Sequence, residues 1–306
     1  MDYIYVAAGL LCLFFGGEAL VRGSVGIAQR LAMSPLLIGL TVVGFGTSTP
    51  ELLVSVNAAW RGVPDIAIGN IVGSNIANIA LIMGITALVW PIRVSGATLR
   101  RDTSVMVLAA LALVPIFLAA EFGRLAGALL LSGLIGYLFW AYLMSGDPFE
   151  NTADDIEKPK AMVCILWIMA GLIALIFGAR FLVDGSVSIA RDVGLSEAFI
   201  GLTIVAVGTS LPELATSVVA AFRRQSEIAI GNVIGSNIFN VLGILGITAI
   251  IKPIPIADRF ITFDLPVMIA ASLVLTALLL KRAVIGRGIG LVLLAGYAGY
   301  VVMAQG

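Results

Sequence analysis

The 306-residue sequence contains no histidine and only two cysteines, Cys12 and Cys164, which both lie in apolar runs. Without histidine there is no His-ligated zinc site, no Ser–His–Asp triad and no haem held by a proximal histidine. Two cysteines cannot build a disulfide framework or a four-cysteine metal site, and in apolar surroundings they act as small packing residues. The composition therefore argues against most hydrolytic and redox enzymes. We predict neither an enzyme activity nor a cofactor.

Charged residues are also scarce, at 12% of the chain, whereas 60% of the residues are hydrophobic. Soluble globular domains carry about 25% charged residues, so this composition indicates a protein embedded in a lipid bilayer. Lys and Arg number 18, as do Asp and Glu, so the net charge is zero and nothing favours nucleic acid as a partner. The N-terminus lacks the basic segment of a cleaved signal peptide, so the first apolar run is predicted to be a retained helix.

Ten hydrophobic runs, each long enough to cross a membrane, follow one another along the chain. They predict an all-α membrane protein with ten transmembrane helices. We expect three regions, namely a first five-helix repeat at 1–144, an acidic cytoplasmic linker at 145–160 and a second five-helix repeat at 161–306. The ten runs lie near residues 3–21, 35–60, 66–90, 103–120, 124–144, 161–182, 197–222, 228–251, 263–280 and 287–304.

The two halves of the chain are related by an internal repeat. When the sequence is shifted by 162 residues, 41 of the 77 positions from Phe14 to Trp90 are identical to their counterparts from Ile176 to Lys252. Because each half contains an odd number of predicted spans, the second half must enter the membrane in the opposite direction. Inverted repeats of this kind are typical of secondary transporters, which place their binding site near the middle of the bilayer.

Lys and Arg are distributed unevenly among the loops between the predicted spans. If both termini lie outside, the inside loops hold 12 basic residues and the outside loops hold 6. The positive-inside rule favours this orientation. The sequence therefore predicts a multi-pass protein of an inner or plasma membrane, with both termini outside and the linker in the cytoplasm.

Two glutamates lie where a charge is expensive, in the middle of the second and seventh hydrophobic runs. Glu51 and Glu213 occupy equivalent positions of the repeat. A charged side chain at the centre of a bilayer costs about 2.5–3.5 kcal/mol on insertion scales, so it faces an interior cavity or a partner. No Lys or Arg lies at a comparable depth in the sequence. We therefore predict that both carboxylates face a cavity that receives cations.

Each of these glutamates ends the same short motif, Gly-Thr-Ser-x-Pro-Glu. The proline lacks an N–H group, so it frees the carbonyl oxygen four residues earlier and loosens the helix. Non-helical backbone is tolerated at membrane depth where it lines a cavity. The motif offers carbonyl, hydroxyl and carboxylate oxygens, which are the ligands that Na⁺ and Ca²⁺ prefer. The motif residues that present these side chains are Thr47, Ser48 and Glu51, with Thr209, Ser210 and Glu213 in the second half.

A second polar element recurs in the third and eighth hydrophobic runs. Its polar residues are spaced by four positions, so they lie on one face of each helix. The neighbouring Asn75 and Asn237 are interpreted as contacts between helices. Four residues of the element are assigned to the cavity, where they complete the oxygen shell opposite the glutamates: Ser74, Asn78, Ser236 and Asn240.

With the duplicated motifs Gly-Thr-Ser-x-Pro-Glu and Gly-Ser-Asn-Ile, the chain resembles the cation/calcium exchanger superfamily, and within it the prokaryotic sodium/calcium exchangers. The resemblance covers both halves. It implies a core of the second, third, seventh and eighth helices, and alternating access by sliding of the first and sixth helices. It also implies that the residues assigned above surround one Ca²⁺ site and adjacent Na⁺ sites. In addition, it implies that the carbonyl groups of Gly44 and Ala206 add Na⁺ ligands.

One position departs from part of that superfamily. Asn240 stands where some relatives, including potassium-dependent ones, carry aspartate, so only two carboxylates remain in the predicted site. We therefore expect an antiporter that exchanges Ca²⁺ for Na⁺ without K⁺, with the bilayer as its only evident partner.

Other functions are weighed against this one. The first alternative is an exchanger on the same fold that is coupled to H⁺ or another cation. A cation channel is less favoured, because inverted repeats with broken helices are typical of alternating access. An intramembrane hydrolase is disfavoured, because the sequence has no histidine and no paired aspartates at membrane depth.

Outside the predicted core, two charged positions of the first half align with residues of opposite charge in the second half. Glu18 and Arg22 align with Arg180 and Asp184, and each pair is four residues apart. We interpret both as surface ion pairs within a helix, each worth a few tenths of a kcal/mol. The alternative is that these charges form a latch between the first and sixth helices.

Overall fold

The computed structural model describes residues 2–31, 33–93, 97–144, 159–194, 206–281 and 284–304, and nearly all of them are helical. In this part of the chain, eight helices are long and apolar enough to cross a membrane, and a bent pair of helices raises the number to nine. Residues 145–158 of the predicted linker and residues 195–205, which begin the predicted seventh span, lie outside the described residues. The all-α membrane class is confirmed, and the ten-helix inverted repeat is consistent with this fold.

The helices are numbered here in chain order. The first half contains α1 (Asp2–Leu31), α2 (Pro35–Thr47), α3 (Thr49–Arg61), α4 (Pro64–Val89), α5 (Ala97–Leu118) and α6 (Arg124–Leu143). The second half contains α7 (Ala161–Asp192), α8 (Ala206–Gly208), α9 (Leu211–Phe222), α10 (Ser226–Ile251), α11 (Phe260–Lys281) and α12 (Arg287–Ala304). Short antiparallel strand pairs join the halves, β1 (Ile92–Arg93) with β4 (Val284–Ile285) and β2 (Glu121–Phe122) with β3 (Ile254–Pro255).

Several of the long helices contain a wider π-helical turn. α4 has one at Asn78–Ile82, and α10 has one at Phe239–Leu245. Both turns include a predicted ligand, Asn78 or Asn240, so the two repeats widen at the same level. Such turns redirect side chains and occur frequently at functional sites.

α1 and α7 contact each other backbone to backbone. A Cβ atom on Gly9 would lie 2.6 Å from the backbone nitrogen of Leu182, and a Cβ atom on Gly171 would lie 2.6 Å from that of Leu20. Small residues allow helices in a membrane to approach this closely. The two helices that the resemblance identifies as the sliding pair are therefore packed along glycine-lined faces.

α2 and α10 are in similarly close contact, across the two repeats. A Cβ atom on Gly39 would lie 2.8 Å from the carbonyl oxygen of Ile228, and one on Gly231 would lie 2.6 Å from that of Leu36. At Gly235 an added Cβ atom would overlap the carbonyl group of Leu40. These contacts hold the first turns of α2 against the glycines of α10.

The charged residues Glu18 and Arg22 of α1 do not form the ion pair that the sequence predicts. Glu18 accepts a hydrogen bond of 2.7 Å from Nε of Arg223, which follows α9 in the other half. Arg22 instead lies over a tryptophan ring of α7, 5.3 Å from its centroid. The interpretation of Glu18 and Arg22 as one surface pair is therefore wrong, because Glu18 pairs across the repeats. Arg180 and Asp184 are 3.8 Å apart and exposed, as a surface pair within α7.

Candidate functional site

The helices that carry the two glutamates are broken just before them. α2 ends and α3 begins on either side of Ser48, and the two helices are inclined by 44°. Ser48 has a ψ angle of 7°, and Ser210, next to α9 in the second half, has the same ψ angle. Pro50 and Pro212 lie in the first turns that follow and cannot donate the hydrogen bond that would continue the preceding helix. The proline motifs therefore break the helices where the sequence predicts.

Glu51 and Glu213 are buried, each with 1% of its surface exposed, and each is reached by a serine from the other repeat. Ser48 donates a hydrogen bond of 3.0 Å to Oε1 of Glu213, and Ser210 donates one of 3.3 Å to Oε1 of Glu51. The other oxygen of each carboxylate, Oε2, is buried and has no donor among the described residues. The ion pairs of the described chain involve neither glutamate.

Two asparagines present further unpartnered oxygens. Asn78 on α4 and Asn240 on α10 are buried, and Oδ1 of each lacks a donor within the described chain. Their amide groups donate across the repeats, from Asn78 to Asn237 at 3.2 Å and from Asn240 to Asn75 at 3.0 Å. Together with the glutamates they contribute four buried oxygens without donors, of which two belong to carboxylates.

Thr47 and Thr209 connect this site to two asparagines that are not among the residues predicted to line the cavity. The hydroxyl of Thr47 lies 3.1 Å from Oδ1 of Asn232, and that of Thr209 lies 3.4 Å from Oδ1 of Asn70. The amide of each asparagine donates a bond of 3.2 Å to the backbone carbonyl of the glutamate in its own half. Asn70 and Asn232 each precede a predicted serine by four residues, and this spacing places them on the same face of the helix as the predicted ligands.

The remaining predicted residues lie in the same region, as far as the described chain includes them. Ser236 donates a hydrogen bond of 3.4 Å to the carbonyl oxygen of Gly44. Ser74 lies 3.3 Å from Ser210, hydroxyl to hydroxyl. Ala206 is the first residue of α8. A Cβ atom on Gly44 would lie 3.0 Å from the backbone nitrogen of Ser236, so glycine allows the α2 backbone to reach α10.

A cavity of about 660 Å³ runs beside this network. Its lining follows α4 from Asp65, at the start of the helix, to Asn70 and Ser74, and it also includes Thr209. Ser74 follows Asp65 by nine positions of helix, which is about 13–14 Å at the usual rise per residue. The cavity therefore extends from the start of α4 to the polar residues around the glutamates.

Comparisons with known proteins give one consistent result. A family model described as sodium/calcium exchanger protein matches residues 1–143 and 163–305. CaxA of Alkalimonas amylolytica is 41% identical over 97% of this chain and 96% of its own length. The sodium/calcium exchanger MaX1 of Methanosarcina acetivorans is 32% identical over 99% and 98%. A structure of the sodium-calcium exchanger NCX_Mj, soaked with 10 mM Na⁺ and zero Ca²⁺, matches with a TM-score of 0.85 at 35% identity and covers 98% of both chains.

Proposed function

Because the chain belongs to the sodium/calcium exchanger family, we propose that it is a secondary antiporter that exchanges Ca²⁺ for Na⁺ by alternating access. Family membership makes it a multi-pass membrane transporter and not an enzyme. The observation that carries the proposal is the set of four buried oxygens without donors, on Glu51, Glu213, Asn78 and Asn240. A buried polar group left unpaired costs about 1–3 kcal/mol, and more when it is charged. A ligand that supplies positive charge would compensate all four.

The residues divide into two roles in this proposal. Glu51 and Glu213 would balance the charge of one Ca²⁺, and the Oδ1 atoms of Asn78 and Asn240 would add neutral ligands. Ca²⁺ takes about six to eight oxygen ligands, so further oxygens must complete its shell. These further oxygens, and those of the adjacent Na⁺ sites, would come from the hydroxyls of Thr47, Ser48, Ser74, Thr209, Ser210 and Ser236 and the carbonyls of Gly44 and Ala206.

The access route follows from the predicted orientation. If the N-terminus lies outside, α1 carries the chain to the inside, and the bent pair α2 and α3 carries it back to the outside. The connection between α3 and α4 then lies outside. The cavity that begins at Asp65 would then open to the outside. We infer from the excess of basic residues in the inside loops that this is the orientation in the membrane.

Uptake of Ca²⁺ is expected to require an opposing Na⁺ gradient and to be unaffected by K⁺. Two carboxylates balance one Ca²⁺, and a K⁺ ion bound beside it would leave an excess charge in a poorly solvated site. The measurement is ⁴⁵Ca²⁺ uptake into liposomes that contain the purified protein and are loaded with Na⁺, K⁺ or choline. Uptake driven by a pH gradient alone would support the H⁺-coupled alternative, and uptake without any counter-ion would support a channel. A requirement for K⁺ on the Ca²⁺ side would contradict the charge count.

Asn240→Asp is expected to change ion preference more than it changes expression. The substitution adds a third carboxylate to the site, which one Ca²⁺ cannot balance, so a second cation or a proton should accompany Ca²⁺. We expect K⁺ or acidification to alter ⁴⁵Ca²⁺ uptake by this variant. K⁺ should not alter ⁴⁵Ca²⁺ uptake by the original protein. Asn78→Asp is the matched variant in the other repeat and should behave in the same way. Identical K⁺ and pH responses in the original protein and both variants would refute this charge argument.

A further inference from the structure

Each asparagine with an unpartnered oxygen donates a hydrogen bond to a second asparagine, and that asparagine donates a hydrogen bond to a methionine sulfur. Nδ2 of Asn240 donates to Oδ1 of Asn75 at 3.0 Å, and Nδ2 of Asn75 donates to the sulfur of Met268 at 3.5 Å. The methionine lies on α11, outside the helices that carry the predicted ligands. The other half repeats the arrangement, at 3.2 Å and 3.6 Å, through Asn78, Asn237 and Met106 on α5.

The chemistry of the thioether fixes the direction of this chain of hydrogen bonds. A methionine sulfur can accept a hydrogen bond but has no hydrogen to donate, so only the NH₂ group of Asn75 can satisfy it. Oδ1 of Asn75 then faces Asn240, and only the NH₂ group of Asn240 can donate to that oxygen. Oδ1 of Asn240 is therefore the atom that remains without a donor. The sulfur thus determines that the free atom of this amide is an oxygen and not an N–H.

The methionines and the asparagines that bond to them are buried, so the amide groups cannot turn around at low cost. Met268 is fully buried and Met106 is 2% exposed, while Asn75 and Asn237 are 2% and 3% exposed. No bulk water is available there to satisfy an amide that has turned around. Rotating both amides of one pair would set a carbonyl oxygen against the lone pairs of the sulfur and point an NH₂ group at the cation. Both changes are unfavourable, so the observed orientation is the one that the surroundings stabilise.

We propose that Met106 and Met268 are positioning residues of the ion site. Through Asn237 and Asn75 they orient the side-chain oxygens of Asn78 and Asn240 before a cation arrives. The inference rests on the proposed function, because it requires that these two oxygens bind the transported cation. Pre-orientation increases affinity because the cation then does not have to offset the cost of turning and ordering the amides.

The test replaces each methionine by leucine, which nearly conserves volume and removes only the acceptor. Met106→Leu and Met268→Leu are each expected to weaken Ca²⁺ binding by about two- to tenfold, the range expected for one net hydrogen bond. The rate of exchange at saturating Ca²⁺ should change less than the Ca²⁺ concentration that gives half-maximal rate. The matched control is Met83→Leu, because Met83 is also fully buried and lies in the apolar core of α4.

A second measurement separates positioning from a general effect on the fold. Without Ca²⁺, the melting temperatures of all three leucine variants should be similar, whereas the rise caused by Ca²⁺ should be smaller for Met106→Leu and Met268→Leu than for Met83→Leu. The two methionines belong to different repeats, so either variant alone provides the test if the other does not fold.

Glu213→Gln, measured in parallel, distinguishes failure of this inference from failure of the proposed function. If Glu213→Gln loses Ca²⁺ binding while both methionine variants bind Ca²⁺ as Met83→Leu does, the positioning role is refuted and the proposed function stands. If Glu213→Gln binds Ca²⁺ as the original protein does, the proposed function fails and the inference fails with it. Weaker binding in Glu213→Gln and in both methionine variants, with Met83→Leu unaffected, supports both.

Discussion

Glu51→Gln and Glu213→Gln are each expected to abolish Ca²⁺ exchange while the protein still folds and inserts into the membrane. Glutamine has nearly the same shape as glutamate and keeps an oxygen that can accept from Ser210 or Ser48, but it removes one of the two charges that would balance Ca²⁺. Removing one partner of a buried charge pair costs about 3–5 kcal/mol, which corresponds to a loss of affinity of about 100-fold or more. The measurement is ⁴⁵Ca²⁺ uptake into liposomes against a Na⁺ gradient, with the melting temperature in detergent as a test of folding.

Glu121→Gln is the matched control for this experiment. Glu121 is an exposed glutamate of the short strand β2, away from the broken helices. We expect this variant to exchange Ca²⁺ at the original rate. Normal uptake by either Glu51→Gln or Glu213→Gln would show that the buried carboxylates are not the cation ligands, and it would remove the basis of the proposed function.

Gly235→Ala is expected to destabilise the protein strongly and to abolish transport with it. The added Cβ atom would overlap the backbone of Leu40, which cannot turn aside as the end of a flexible side chain can. α2 and α10 would have to separate, and this would move the carbonyl of Gly44 away from Ser236. Overpacking a well-packed contact costs about 1–3 kcal/mol, and a contact with backbone lies at the upper end of that range or beyond it.

The melting temperature and ⁴⁵Ca²⁺ uptake of Gly235→Ala should be compared with those of Gly133→Ala. An added Cβ atom on Gly133, in α6, meets no heavy atom of the described residues within 4 Å. Alanine favours a helix over glycine by about 0.5–1 kcal/mol, so Gly133→Ala should be neutral or slightly stabilising. Because both variants gain the same helix propensity, a lower stability of Gly235→Ala measures the contact with α2. Equal stabilities would show that the two helices can separate at no cost.

Composition and local chain chemistry are enough to predict several features of this protein. The scarcity of charge required a membrane protein, because a chain with 60% hydrophobic residues has too little polar surface for water. Pro50 and Pro212 required a break before each glutamate, since a proline cannot complete the helical hydrogen bonds. The repeat required that whatever surrounds Glu51 also surrounds Glu213, so the symmetry of the site was predictable before any contact was known.

Which side chains contact each other depends on how the helices pack. The repeat does not state whether a side chain bonds to its own half or to the other, because two identical motifs are equally compatible with both. The structure selects the other half for Ser48, which donates to Glu213 across 165 positions, and for Glu18, which pairs with Arg223. The sequence predicts only that Asn75 is a contact between helices, whereas its position between Met268 and the amide of Asn240 depends on the packing of α4 against α10 and α11. These hydrogen bonds join residues that are far apart in the chain, so the local sequence does not predict them.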